Sequence, residues 1–79
     1  MLFRSVAMVG TYGAAKYTDN GWRSVPAGQE RYTDAMLRHL LAEAQGLERD
    51  HESELLHAAH TAWNALARLE LMLAEAKKC

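Results

Sequence analysis

The chain is 79 residues long, 49% apolar and 24% charged, with a net charge of −1. That composition suits one small folded domain over residues 1–79; it excludes disorder and gives no electrostatic case for nucleic acid or an anionic membrane. A chain of this size buries only roughly 60% of its unfolded surface. Its single cysteine, Cys79, has no partner for an internal disulfide, so completion of the fold by a homo-oligomer is expected. The apolar start, Met1 to Val9, is short and interrupted by Arg4, neither a transmembrane span nor a signal peptide. The expected location is the cytoplasm.

Phe3, Val6 and Ala7 predict a short first helix ending near Gly13, with Gly10 and Gly13 as helix stops. Asp19-Asn20-Gly21 reads as a turn, and Val25-Pro26-Ala27-Gly28 as a loop. A second helix is predicted from about Glu30 to Gln45, stopped by Gly46; Tyr32, Ala35, Met36, Leu40 and Glu43 share a face with His39, and Leu37, Leu41 and Ala44 widen the apolar side. Residues 46–49 then read as a tight turn into a third helix from Asp50 to Leu73. Leu55, Leu56, Ala59, Ala62, Trp63, Leu66, Leu69 and Leu73 recur at steps of three and four along it. Asp50 is placed to cap its first turn, and Lys77 and Lys78 suit its C-terminal end. The fold class is therefore all-α: a short helix, a loop and an antiparallel helical hairpin.

Beside the apolar stripe, Ser53, His57, His60 and Asn64 fall at helical spacing on one adjoining face. A helix needs no such polar file for its own stability. Two histidines three residues apart, with no third clear ligand, do not make a zinc motif.

Several blocks arrive in order: Tyr12-Gly-Ala-x-Lys16-Tyr17, Asn20-x-Trp22-Arg23, Arg31-Tyr32-x-Asp34-Ala35-x-x-Arg38-His39-Leu40, Asp50-x-Glu52-Ser53 and His57-x-x-His60-x-x-Trp63-Asn64-Ala65. Together they resemble the family named for the N-terminal domain of dATP/dGTP diphosphohydrolases. These are mostly bacteriophage proteins related to MazG-like all-α nucleotide pyrophosphohydrolases. The resemblance runs from about Val6 to Leu71. It implies cleavage of a purine deoxynucleoside triphosphate to monophosphate and pyrophosphate, with Mg²⁺ or Mn²⁺.

Phosphoryl chemistry needs cationic donors around the phosphates and an activated water. Carboxylates suit Mg²⁺, so Glu43, Asp50 and Glu52 are the expected metal ligands. His57 and His60, positioned by Asn64, are the expected donors or bases. His39 faces the same hairpin and can pair with Glu43. Lys16, Arg23 and Arg38 are the expected phosphate clamps. Trp22 either stacks on the purine or plugs the end of the hairpin. The chain departs from the wider pattern in three ways. It has neither the E-x-x-E nor the E-x-x-D carboxylate pattern of MazG-like enzymes, it starts almost at the first block, and Glu54 stands where the D-x-E-S-G form carries glycine. These departures motivate an alternative: a catalytically inactive relative serving as a small phage inhibitor of a host or defence protein.

Overall fold

In the computed structural model, which describes residues 1–16 and 18–77, the chain is all-α. Helices α1 (Leu2–Lys16), α2 (Gly28–Ala44) and α3 (His57–Lys77) follow in order, with a 3₁₀ turn, Gly21–Ser24, between the first two. Helices α2 and α3 form the expected hairpin, and α1 lies against α3. Tyr17 of the first sequence block, Lys78 and Cys79 lie outside the described residues.

Helix α1 runs past both predicted stops to Lys16. Gly10 serves contact here: a Cβ built on it would stand 3.0 Å from Trp63 Nε1, so its bareness lets α1 approach α3. Helix α2 begins at Gly28, two residues before the predicted start. Ala27 ahead of it adopts a left-handed φ of 54° while its carbonyl accepts from Arg31 N at 3.0 Å. Helix α2 ends on a Schellman motif, in which Leu47 N donates to Ala42 O at 3.1 Å and Gly46 N to Glu43 O at 2.9 Å. Gly46 at φ 94° is the left-handed residue that geometry requires.

The predicted tight turn and the Asp50 helix start are both corrected. Residues 45–56 form a compact connector, and α3 begins at His57. Arg49 bridges Leu56 in antiparallel fashion, Asp50 N donates to Leu55 O at 2.8 Å, and His57 N donates to Glu48 O at 2.9 Å. Asp50 Oδ2 accepts from Ser53 N at 2.8 Å and from Ser53 Oγ at 3.0 Å, capping a local turn in place of a helix. Such side-chain bonds compete with helix formation, and Glu54 at φ 63° cannot belong to a right-handed helix.

Among the described residues the buried apolar side chains are few and small: Val9, Ala59 and Ala67. Trp22, Tyr32 and Trp63 add an aromatic triad of edge contacts, with centroids 5.6–6.4 Å apart, where the 3₁₀ turn meets the hairpin. Tyr32 OH fastens that corner by donating to Trp22 O at 2.5 Å. Leu37, Leu40 and Leu41 on α2 and Leu66, Leu69 and Leu73 on α3 remain exposed, each set at helical spacing. No helix among the described residues is long and apolar enough to cross a membrane.

Candidate functional site

The most polar part of the interior lies where the start of α3 faces the middle of α2. His57, His60 and Asn64 are buried there, and His39 projects from α2 to meet them. The His39 ring stacks on His60, with centroids 4.3 Å apart and planes 8° from parallel. Its Nδ1 lies 2.8 Å from His57 Nδ1. One of those nitrogens carries the hydrogen and the other offers a lone pair, so the pair shares one proton. Burial, and then the neighbouring His60, lower the His39 pKa to about 4. The expected pairing of His39 with Glu43 gives way to this contact across the hairpin.

The connector closes the cluster from above. His60 Nε2 stands 2.7 Å from Ser53 Oγ. Ser53 Oγ in turn donates to Asp50 Oδ2 and accepts from Leu55 N at 3.2 Å. With its proton given to Asp50, Ser53 Oγ is an acceptor towards His60, which fixes the N–H on His60 Nε2. Burial pushes the His60 pKa down, and the Asp50 charge partly offsets that. At Asp50 itself burial pushes the pKa up, but the Ser53 amide and hydroxyl outweigh it and hold the carboxyl below its ordinary value. Beneath, Asn64 Nδ2 donates to His60 O at 2.8 Å, one turn back along α3.

Glu52 faces the other way, towards α1. Tyr12 OH donates to its Oε1 at 2.6 Å, and Lys16 Nζ forms an ion pair with the same oxygen. Lys16 and then Tyr12 hold the Glu52 pKa below its usual value, while the same hydrogen bond raises that of Tyr12. Tyr12 also meets His60 edge-on at 6.4 Å. The connector is thus tied to α1 through Glu52 and to α3 through Ser53.

Five of the residues singled out from the sequence, His39, Asp50, His57, His60 and Asn64, therefore come together. The others do not join them. Glu43 is exposed towards the end of α2, Glu52 is occupied by Lys16 and Tyr12, and Lys16 by Glu52. Arg23 lies 4.7 Å over the Trp22 ring and 3.9 Å from Glu70. Trp22 is half-buried in the aromatic triad, edge-on to Tyr32 and Trp63. Arg38 is exposed, one residue before His39, close enough to help lower its pKa. Ser53 was visible in the helical file and in the Asp50-x-Glu52-Ser53 block, without a role of its own; its hub position follows from the connector turn. The three carboxylates expected for Mg²⁺ do not make a common cage, because only Asp50 is in the cluster. One donor atom each from His39, Asp50 and His57 does lie within 4.8 Å of the others.

A three-helix all-α unit with a histidine–carboxylate centre between a helical hairpin and its connector is the class of protein these features define. Over residues 1–78 the chain matches the family described as dATP/dGTP diphosphohydrolase, N-terminal, and it belongs to that family. No curated protein and no solved structure matches it.

Proposed function

We propose that this chain handles purine deoxynucleoside triphosphates as part of a bacteriophage diphosphohydrolase, releasing the monophosphate and pyrophosphate. The observation that carries this reading is the family match across residues 1–78. Histidines beside a carboxylate, with the exposed Arg38 at the rim, offer donors and a cation to a phosphate chain. His57 and His60 act by orientation: His57 fixes His39, and His60 fixes Ser53 and through it Asp50.

The working form is an assembly of copies. The surface beside the cluster is an open depression lined by Arg49, Asp50, His51 and Glu54, whereas nucleotide sites enclose most of their ligand. The exposed leucines of α2 and α3 supply the apolar faces for association.

The test is incubation with dATP or dGTP and either Mg²⁺ or Mn²⁺, with products resolved by ion-exchange chromatography. Monophosphate and pyrophosphate in equal amounts, lost in Asp50→Asn with helicity retained, are the expected result. No product, together with no thermal shift on adding the nucleotide, refutes the proposal. It would favour the alternative of an inactive relative that binds a host protein, which the absent E-x-x-E and E-x-x-D patterns motivate.

A further inference from the structure

We infer that His39, His57 and Asp50 form a site for a divalent late first-row metal ion of the cobalt–nickel class. The inference does not depend on the chain hydrolysing a nucleotide. Three separate segments supply the donors: the middle of α2, the first residue of α3 and the connector. Nothing in helix packing requires two imidazole nitrogens and a carboxylate to converge within 4.8 Å.

The donor chemistry selects the ion. Imidazole suits the later first-row metals, while Mg²⁺ takes oxygen donors and retains its waters. Around an ion with bonds of about 2.1 Å, nitrogens on adjacent octahedral positions stand about 3.0 Å apart. The Nδ1 atoms of His39 and His57 are 2.8 Å apart, so they already stand at the separation one ion requires, and each ring has only to turn from the other nitrogen towards it. The metal would take the place of the hydrogen between them, and that proton would pass to Nε2 of the same ring, so that both imidazoles bind as neutral ligands.

The surroundings resemble an outer coordination shell. Ser53 holds Asp50 by Oδ2 alone, through its amide and its hydroxyl. Among the described residues no hydrogen bond goes to Oδ1, which leaves that oxygen for the ion. His60 braces Ser53 from one side and stacks flat on His39 from the other, so a single side chain orients two ligands. Access comes from the open depression that Asp50 lines with Arg49, His51 and Glu54. Two histidines and one carboxylate leave coordination positions open to water or to an oxygen-bearing ligand.

The experiment uses the full chain without nucleotide, stripped by chelator and titrated calorimetrically with Mn²⁺, Co²⁺, Ni²⁺ and Mg²⁺ in turn. One Co²⁺ or Ni²⁺ per chain is expected, at least tenfold tighter than Mg²⁺. Asp50→Asn keeps an acceptor for Ser53, and His39→Gln keeps a polar group; each should weaken Co²⁺ at least tenfold with unchanged circular dichroism. His51→Gln, an exposed neighbour, should change nothing. Because His57 is buried, its role is read in the unmutated chain, where Co²⁺ should shift or broaden the imidazole resonances of His39 and His57. Co²⁺ binding no tighter than Mg²⁺ would overturn the site. So would binding that survives both ligand variants, or a cobalt effect confined to His51. Loss of the metal site would leave the nucleotide assay to be decided separately, since no nucleotide enters this experiment.

Discussion

Replacing Glu54 with glycine should stabilise this protein, and the reason lies in the backbone. Glu54 sits at φ 63°, with its N–H bonded to Asp50 O at 2.7 Å and its carbonyl accepting from Arg49 Nη1 at 3.1 Å. These bonds are made by main-chain atoms, so they survive the substitution. The side chain is exposed and makes no hydrogen bond among the described residues. A residue with a Cβ in the left-handed region costs roughly 1–2 kcal/mol. Glycine avoids that cost but surrenders about 0.5–1 kcal/mol of unfolded-chain entropy. The net gain is about 0.5–1 kcal/mol, which in a domain of this size raises Tm by about 3–6 °C. Urea denaturation and thermal melts of Glu54→Gly, with Glu54→Ala as the control, read it directly. Alanine removes the same charge but keeps the Cβ, so it should gain little. Equal gains in both variants would assign the effect to charge among Asp50, Glu52 and Glu54, and a lower Tm for glycine would refute the reasoning outright.

Other consequences are as direct. Gly13 has open space where a Cβ would go, so Gly13→Ala should gain about 0.5–1 kcal/mol from helix propensity. Gly10→Ala should forfeit that gain against Trp63 Nε1, and a thermal melt of the two variants side by side compares them. Ser53→Ala removes the hydroxyl that links His60, Asp50 and Leu55 N; a loss of about 1–3 kcal/mol is expected in urea denaturation. His39 has its folded pKa lowered from 6.5 to about 4, so the unfolded chain binds the extra proton more readily. The stabilisation is present above pH 6.5 and is lost as pH falls towards 4, and His60, also lowered, acts in the same direction. A drop of that size caps the effect at about 3.4 kcal/mol, and solvent screening at the rim leaves roughly half. Chelator-treated protein melted between pH 7 and pH 4 should follow this slope, and His39→Gln should flatten it.

The periodicity of apolar residues was enough to read an all-α chain with a helical hairpin, since steps of three and four survive any local detail. Gly46 was likewise legible as the stop of α2, because the left-handed residue of a Schellman motif is a local requirement. The start of α3 was not. Asp50, Glu52 and the leucines after them satisfy helix grammar, yet bonds between Asp50 and Ser53 and the left-handed turn at Glu54 draw residues 50–54 into the connector. The glycine of the D-x-E-S-G pattern was the one local sign of that turn. Gly10 misled for the opposite reason: its role is a contact with Trp63, more than fifty positions away in the chain.

Spacing along one helix was enough to mark His57, His60 and Asn64 as chemistry-bearing, because such groups beside an apolar face demand partners, whereas Asp50 and His39 became site candidates through what the family resemblance implies. Which of them meet was decided by the tertiary structure. Periodicity reports one helix at a time, whereas the His39–His57 pair depends on the register of α2 against α3. The place of Asp50 depends on a connector whose turn is held by its own side chains. The same connector points Glu52 outward to Tyr12 and Lys16, so two acids two residues apart serve different neighbours.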